Sequence, residues 1–226
     1  MSDWESEDKK QALQLLVGEY FGDCPEERLD EIRAAKKKRA RRLCKKLGCH
    51  KESVVLEIGS GMGLTSKHVA RRVKQLICSD ISTSFLELAK KECADVQNIE
   101  FVKIEEEPAQ FSFPDESFDM IFSDAVFIHL NLYDIFWYFS EFQRLIKRRG
   151  KVLINVMDSS KIETPLFDQM AEFYRQDRNN LKTLIYWNSV EAVIGIASRF
   201  GFKLKSKGRM WGLVKPANLD LLFSKK

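Results

Sequence analysis

The feature that most constrains the fold is an apolar run that ends in a glycine-rich turn. Residues Val54–Ile58 are rich in β-branched side chains, and Gly59, Gly61 and Gly63 follow them at every second position. Such a run is typical of a buried strand in a parallel sheet. Residues 66–73 then have helical spacing. The turn therefore joins a strand to a helix, and its glycines allow a ligand to approach the N-terminus of that helix closely.

The spacing of these glycines distinguishes between two kinds of nucleotide ligand. The dinucleotide fingerprint, counted from Gly59, requires a glycine at position 64, but this chain has Leu64 there and its third glycine at Gly63. In addition, Glu57 lies two residues before the first glycine. A carboxylate at this point repels a pyrophosphate but suits a ligand that carries an ammonium group. The pattern Glu57-x-Gly59-x-Gly61-x-Gly63 therefore favours S-adenosylmethionine over NAD.

Later segments extend this pattern. Asp80 ends a second predicted strand about twenty residues after the glycine turn, where a carboxylate can accept hydrogen bonds from both ribose hydroxyls. Residues 111–119 are similar to the "PFPDESFD" run, and residues 124–130 to the "xxVxxHL" loop, that occur in known methyltransferases. Over residues 50–157 the chain thus resembles the class I S-adenosylmethionine-dependent methyltransferases, in particular those that act on small molecules.

The resemblance implies both a fold and a domain organisation. We expect an α/β fold with a Rossmann-like, doubly wound, seven-stranded sheet that is mostly parallel and has an antiparallel last strand. Helices would cover both faces of the sheet. Residues 1–50 would form an N-terminal helical cap, and residues 51–226 the methyltransferase domain, with an insertion at about residues 158–188. The cap would either pack on the domain or form part of a lid over the ligands.

The resemblance also implies which residues hold the cofactor. Glu57 would bind the ammonium group and Asp80 the ribose, while Glu107 and Pro108 would lie beside the adenine. The alternatives are an N-cap role for Asp80 and a solvated acidic loop around Glu107. The complete predicted set comprises Glu57, Gly59, Ser60, Gly61, Gly63, Asp80, Ile81, Glu107, Pro108, Ser123 and Val126.

The acceptor side of the predicted site centres on His129, in the loop after the fourth predicted strand. An imidazole can act as a general base near neutral pH, and the alternative is that His129 hydrogen-bonds within the loop and positions it. Aromatic residues of the cap and the insertion are expected to contact the acceptor together with His129, namely Tyr20, Tyr174 and Trp187. For these aromatic residues the alternative is packing at the surface.

Composition and charge narrow the classes of protein to be considered. The formal net charge of +4 is far from the basicity of a dedicated nucleic-acid binder. The five cysteines are an odd number without a C-x-x-C pair, so we expect reduced thiols and neither a disulfide framework nor a metal site. No apolar run approaches the length of a membrane span, and the N-terminus is polar. These features favour a soluble, cytoplasmic protein.

Three functions remain open. The favoured one is a methyltransferase that acts on an oxygen or nitrogen of a small acceptor, such as a sugar or a lipid-linked metabolite. The second is an RNA or protein methyltransferase that docks through the basic segment 36–46, which is otherwise a solvated helix face. Against it, the segment 123–126 lacks the Asn/Asp-Pro-Pro-aromatic signature of many methyltransferases that act on exocyclic amines. The third is a non-catalytic subunit that binds the cofactor.

Overall fold

The structure is a computed structural model that describes residues 27–105, 111–162, 165–176, 184–209 and 217–226. Most of the predicted N-terminal cap lies outside these residues. The same holds for three of the predicted site residues, Tyr20, Glu107 and Pro108.

Strands and helices alternate along most of the described chain. The strands are β1 (Val54–Ile58), β2 (Gln75–Asp80), β3 (Ile99–Lys103), β4 (Phe118–Ser123), β5 (Ile146–Asp158), β6 (Trp187–Asn188), β7 (Phe202–Arg209) and β8 (Asn218–Lys225). The helices are α1 (Leu29–Leu47), α2 (Ser66–Ala70), α3 (Thr83–Glu92), α4 (Leu132–Leu145), α5 (Pro165–Gln176) and α6 (Val190–Arg199).

All strands belong to one sheet with the order β3-β2-β1-β4-β5-β8-β7. Strands β1 to β5 pair in parallel, whereas β8 is antiparallel to both β5 and β7. The predicted mostly parallel sheet with an antiparallel last strand is thus confirmed. An eighth strand of two residues, β6, comes from within the predicted insertion and pairs with Met157 and Asp158. It can do so because β5 continues beyond the end of β4 and leaves that edge free.

The strand order reverses between β1 and β4, and this reversal places the site. From β1 the chain proceeds to β2 and β3 on one side, and then returns to β4 on the other. In an open α/β sheet, ligands bind in the crevice beyond the carboxyl ends of the strands at such a switch point. The glycine turn after β1 and the loop after β4 lie at this crevice.

Each face of the sheet has its own hydrophobic core. One face packs against α1 and α2, with Ala40, Leu43 and Leu47 of α1 fully buried. The other packs against α4 and α6 and is rich in aromatic rings. Phe139 makes edge-to-face contacts there with Phe142 of the same helix, with Phe202 of β7 and with Phe223 of β8. Since both faces are covered there, the central strands β1 and β4 and the second half of β5 are mostly apolar and buried.

The junction of α4 and β5 differs from the expectation. From the sequence we expect the amphipathic helix that begins at Leu132 to continue to Lys147, and a turn at 147–150 like the Lys-Pro-Gly-Gly turn of the family, but α4 ends at Leu145 and β5 begins at Ile146. The pairing of β4 with β5 shifts register in this segment, so the expected turn is an irregularity within the strand. Arg149 has a φ of 65° there, the left-handed conformation that usually requires glycine.

No helix in the described ranges is long and apolar enough to cross a bilayer.

Candidate cofactor and acceptor site

The glycine turn adopts a conformation that other residues avoid. Gly59, Gly61 and Gly63 have φ values of 72°, 51° and 75°, in the left-handed region. A Cβ on Gly59 would lie 2.1 Å from Cγ2 of Val126, which comes from the loop after β4. The amide of Gly59 also donates to the carbonyl of Ser79 in β2 (2.8 Å). The turn is therefore fixed against β2 on one side and against the loop after β4 on the other.

Asp80 supports this turn from the end of β2. Its Oδ2 accepts a hydrogen bond from the amide of Gly61 (2.8 Å), and its Oδ1 accepts one from the amide of Ser82 (3.0 Å). The N-cap of α3 is Ser82, whose hydroxyl accepts from the amide of Phe85 (3.1 Å). The alternative prediction, that Asp80 caps this helix, is therefore wrong. The carboxylate lies at the crevice with further acceptor capacity on both oxygens.

Glu57 is the most perturbed acid of the site. It is 1% exposed, and the thiol of Cys78 donates to its Oε2 (3.3 Å). Burial raises the pKa of Glu57 to about 8, and the nearby charge of Asp124 acts in the same direction. Within the described ranges no basic side chain forms an ion pair with it. The site therefore holds an uncompensated buried acid beneath the glycine turn.

The hydroxyls of the predicted cofactor residues differ in their bonding. Ser60 Oγ is buried and has no hydrogen-bond partner, although buried hydroxyls nearly always have one. Ser123 Oγ, in contrast, donates to the carbonyl of Ile58 (3.0 Å) and so joins β4 to β1. Ile81 is half-buried and packs against the aromatic core. A buried acid beneath a left-handed glycine turn, together with a buried hydroxyl that has no partner among the described residues, fits a ligand with an ammonium group and polar substituents.

The loop after β4 carries His129 at the end of a short 3-10 turn, Phe127–His129. Nδ1 of His129 lies 3.2 Å from the carbonyl oxygen of Leu184. A carbonyl can only accept, so Nδ1 carries the proton and Nε2 carries the lone pair of the neutral ring. The amide of Tyr186 donates to the carbonyl of Ile128 (2.7 Å), which ties the loop to the same segment.

The segment before α6 brings Trp187 into an apolar cluster with this loop. Trp187 makes an edge-to-face contact with Phe167 of α5, at 5.1 Å between ring centroids. Its Nε1 is buried without a hydrogen-bond partner. Tyr174, also on α5, is 43% exposed. The structure therefore brings His129 and Trp187 to one region, with Tyr174 at its outer side.

The basic segment predicted as a surface is partly turned inward. Arg39 is 8% exposed. Its Nε donates to Asp124 Oδ1 (2.8 Å), and its two terminal nitrogens donate to the two carboxylate oxygens of Asp220 (2.8 Å each). Lys36 and Lys46 lie next to the same two aspartates. The exposed basic side chains of α1 are Lys37, Lys38, Arg41 and Lys45, and three of them, Lys37, Arg41 and Lys45, form an outer row four residues apart.

Two buried asparagines near the site were missed in the sequence. Asn155 Oδ1 accepts from the amide of Ala125 (2.7 Å), and Asn188 Nδ2 donates to the carbonyl of Leu130 (2.9 Å). Both side chains therefore hold the loop after β4 from behind. The sequence did contain one indication: Asn155 is a polar residue within the apolar run of β5, and a buried side-chain amide needs a hydrogen-bond partner.

The sequence has recognisable relatives. Residues 56–154 match the family described as "Methyltransferase domain". A demethylmenaquinone methyltransferase of Tropheryma whipplei is 32% identical over 114 residues, which are 50% of this chain and 46% of that protein. The uncharacterised methyltransferase YcgJ of Bacillus subtilis is 28% identical over 132 residues, 58% of this chain and 50% of that protein. The chain thus spans about half the length of these curated relatives.

Solved structures show the same fold at lower identity. YcgJ of Bacillus subtilis superposes with a TM-score of 0.62 at 18% identity, over 83% of this chain and 97% of that one. The magnesium protoporphyrin IX methyltransferase of Synechocystis, with bound SAH, superposes with a TM-score of 0.65 at 16% identity, over 86% and 83%. These similarities extend the matched architecture well beyond residues 56–154.

Proposed function

We propose that this chain, whose residues 56–154 match the family described as "Methyltransferase domain", binds S-adenosylmethionine and methylates a small, apolar acceptor. The cofactor supplies a methyl group on a positively charged sulfur, which is already activated for displacement. The observation that carries the proposal is the buried, unpaired acid Glu57 beneath a turn of left-handed glycines. This combination lies at the switch point between β1 and β4.

Each part of the cofactor has a group of suitable chemistry. Glu57 accepts from the ammonium group, and Ser60 Oγ, which has no partner among the described residues, supplies a further polar contact. Asp80 holds the ribose through its carboxylate oxygens, each of which can accept more than one hydrogen bond, while it keeps its bond to Gly61. Val126 closes the turn from the side of β4. Gly63, Ile81, Ser123, Glu107 and Pro108 complete the proposed cofactor site.

The acceptor lies on the side of the loop after β4. Trp187 contributes an apolar ring with a buried, unbonded N–H, which suits an acceptor that is largely apolar but carries an oxygen. Two methyltransferases similar to this chain are named for a demethylmenaquinone and for magnesium protoporphyrin IX. We therefore favour an apolar ring compound over a sugar, with Tyr174 at the edge of its pocket; Tyr20, outside the described residues, stays a predicted contact.

His129 is proposed to act on the acceptor rather than on the cofactor. With Nδ1 bonded to Leu184, Nε2 is the ring nitrogen that would take a proton from an acceptor oxygen or nitrogen. Most of the rate enhancement would come from orientation, since holding two reactants in line accounts for roughly 7–11 kcal/mol of a barrier. Catalysis therefore depends more on a rigid loop after β4, which orients the acceptor, than on a set of reactive side chains.

The cofactor part is tested by calorimetric titration with S-adenosylhomocysteine. Wild-type protein should bind it, and Asp80→Asn should weaken binding at least about tenfold, because one acceptor oxygen is replaced by a donor. Asp95→Asn, at an exposed acid paired only with Lys67 and Arg71, is the matched control and should bind as wild type does. Folded wild-type protein that does not bind would refute the proposal.

The acceptor part is tested with S-adenosylmethionine that carries a deuterated methyl group. Quinols, phenols, sugars and total RNA are offered in parallel, and labelled products are identified by mass spectrometry. Transfer to quinols or phenols is expected, whereas label in RNA alone would overturn the small-acceptor proposal. His129→Ala should lower kcat about 10² to 10⁴-fold with cofactor affinity retained. Full turnover in this variant would leave His129 with a positioning role only.

A further inference from the structure

A buried charged cluster lies directly behind the loop after β4. It consists of Arg39 from α1, Asp124 from the loop and Asp220 from β8, and their side chains are 8%, 4% and 1% exposed. Arg39 bonds both aspartates at once, with one contact to Asp124 and a two-pronged contact to Asp220. The guanidinium thus connects three elements that are far apart in sequence.

The cluster continues into the backbone of the loop. Asp124 is followed by Ala125, which has a φ of 68°, a conformation that non-glycine residues seldom adopt. The amide of Ala125 donates to Asn155, and Asn155 Nδ2 donates to Asn218 Oδ1 (3.1 Å). An unfavourable backbone conformation persists only where its surroundings hold it. Here the two holding groups are Arg39, through Asp124, and Asn155.

The loop in turn forms a wall of the proposed site. Val126 follows Ala125 and lies against Gly59, where a Cβ on the glycine would be 2.1 Å away. His129 comes three residues later. A shift of the Asp124–Ala125 peptide would therefore move the acceptor side of the site. The glycine turn is held separately, through Ser79 and Asp80.

We propose that Arg39 is a positioning residue, which fixes the loop after β4 through Asp124 and so orients the acceptor side for methyl transfer. The proposal rests on the proposed function for its catalytic consequence. Arg39 and Asp220 both lie outside the segment that matches the methyltransferase family, so the device belongs to this chain rather than to the matched domain. The positive charges of Arg39 and Lys36 also hold the pKa of Asp124 below its usual value, although burial alone would raise it.

Geometry favours arginine over lysine at this position. A planar guanidinium can bond two carboxylates in fixed directions, whereas an ammonium group on a flexible chain behaves as a point charge. Arg39→Lys therefore keeps the charge of the cluster and removes the directional link between Asp124 and Asp220. Arg41→Lys is the matched control, since Arg41 lies on the exposed side of the same helix.

The test is hydrogen exchange measured by mass spectrometry, on protein without ligand. In Arg39→Lys, peptides that cover residues 122–130 should exchange at least about tenfold faster, while peptides from β2 keep their wild-type rates. Arg41→Lys should match wild type throughout. Unchanged exchange at 122–130, or an equal rise in β2, would overturn the positioning role.

Two further readouts separate this proposal from the proposed function. Arg39→Lys should still bind S-adenosylhomocysteine, with a smaller loss than Asp80→Asn, because Asp80 keeps its bond to Gly61 and only the contact of Val126 with the turn is loosened. With an acceptor from the screen, kcat should fall roughly tenfold to a hundredfold, by more than KM for S-adenosylmethionine rises. Failure of wild type to bind the ligand refutes the proposed function, while the exchange experiment still decides the role of Arg39.

A second variant covers the case in which Arg39→Lys does not fold. Asp124→Asn keeps the shape of the side chain and one accepting oxygen but removes the buried charge. It should show the same local increase in exchange. Lys46→Met, which removes a partner of Asp220 and leaves the bond between Arg39 and Asp124 in place, should not. Equal effects in both variants would overturn the proposal.

Discussion

Replacing Glu57 by glutamine should change how the stability of the protein depends on pH. Burial raises the pKa of this carboxyl from 4.5 to about 8 in the folded protein. Between these two values the unfolded chain binds fewer protons at this position than the folded one, so stability falls as pH rises. One pKa unit corresponds to about 1.36 kcal/mol, and the loss between pH 5 and pH 7 is therefore about 2 to 3 kcal/mol.

The assay is urea unfolding at pH 5, 6, 7 and 8 for wild type and Glu57→Gln. The variant has its own fixed cost, because a buried amide must replace the acid beside Cys78. That cost does not depend on pH, so only the difference in slope is informative. Glu52→Gln, at an exposed acid near the start of β1, is the control and should parallel wild type. Parallel curves for Glu57→Gln would refute the assignment of a buried, protonated acid.

The same group predicts proton release when the cofactor binds. At pH 7 an acid with a pKa of about 8 is mostly protonated, and it ionises when an ammonium group pairs with it. Titration of S-adenosylhomocysteine in buffers of different ionisation enthalpy should therefore report close to one released proton. Glu57→Gln should release none at this position. Equal release by wild type and variant would remove Glu57 from the ammonium site.

Three further predictions concern stability and binding. Gly59→Ala should abolish measurable binding of S-adenosylhomocysteine, because the added Cβ would collide with Val126. The double variant Gly59→Ala/Val126→Ala should recover part of this binding. Unchanged binding in Gly59→Ala would contradict the packing of Val126 against Gly59. Gly195→Ala should raise stability by about 0.5–1 kcal/mol in urea unfolding, because a Cβ in this helical position meets open space. Asn131→Ala should lower it by about 1 kcal/mol, because Asn131 forms a capping box at the start of α4; a change near zero would show that the cap is dispensable.

The parts of the fold that could be predicted depend on short-range signals. The glycine turn, the strand before it and the acid at the end of β2 are readable because left-handed φ values demand glycine and buried strands demand apolar runs. The alternation of strands with helices indicates a largely parallel sheet, and the resemblance to the family implies the antiparallel last strand. The start of β5 could not be predicted, since Arg149 takes a left-handed conformation without being a glycine. This conformation accompanies the register shift in the pairing of β4 with β5, which no local sequence pattern reveals.

The role of Arg39 shows why the rest of the site could not be predicted from the sequence. Its partners lie 85 and 181 residues away along the chain, so no local pattern reveals them. In the sequence it stands among seven other basic residues, and such a run is usually a solvated face. The one local hint is that Arg39 directly precedes the fully buried Ala40, on a helix that covers the sheet.

The division of α1 into an inner and an outer charged side bears on the choice between acceptors. The inner charges are accounted for by Asp124 and Asp220, so they no longer support docking of RNA. The outer row consists of like charges at every fourth position, an arrangement that costs a helix a few tenths of a kcal/mol per pair. That cost is small enough to be tolerated without a partner. A neutral row, with Lys37, Arg41 and Lys45 all replaced by glutamine, should therefore transfer methyl groups to a small acceptor at the wild-type rate. A large loss of turnover in that variant would instead show that the acceptor is a macromolecule bound along α1.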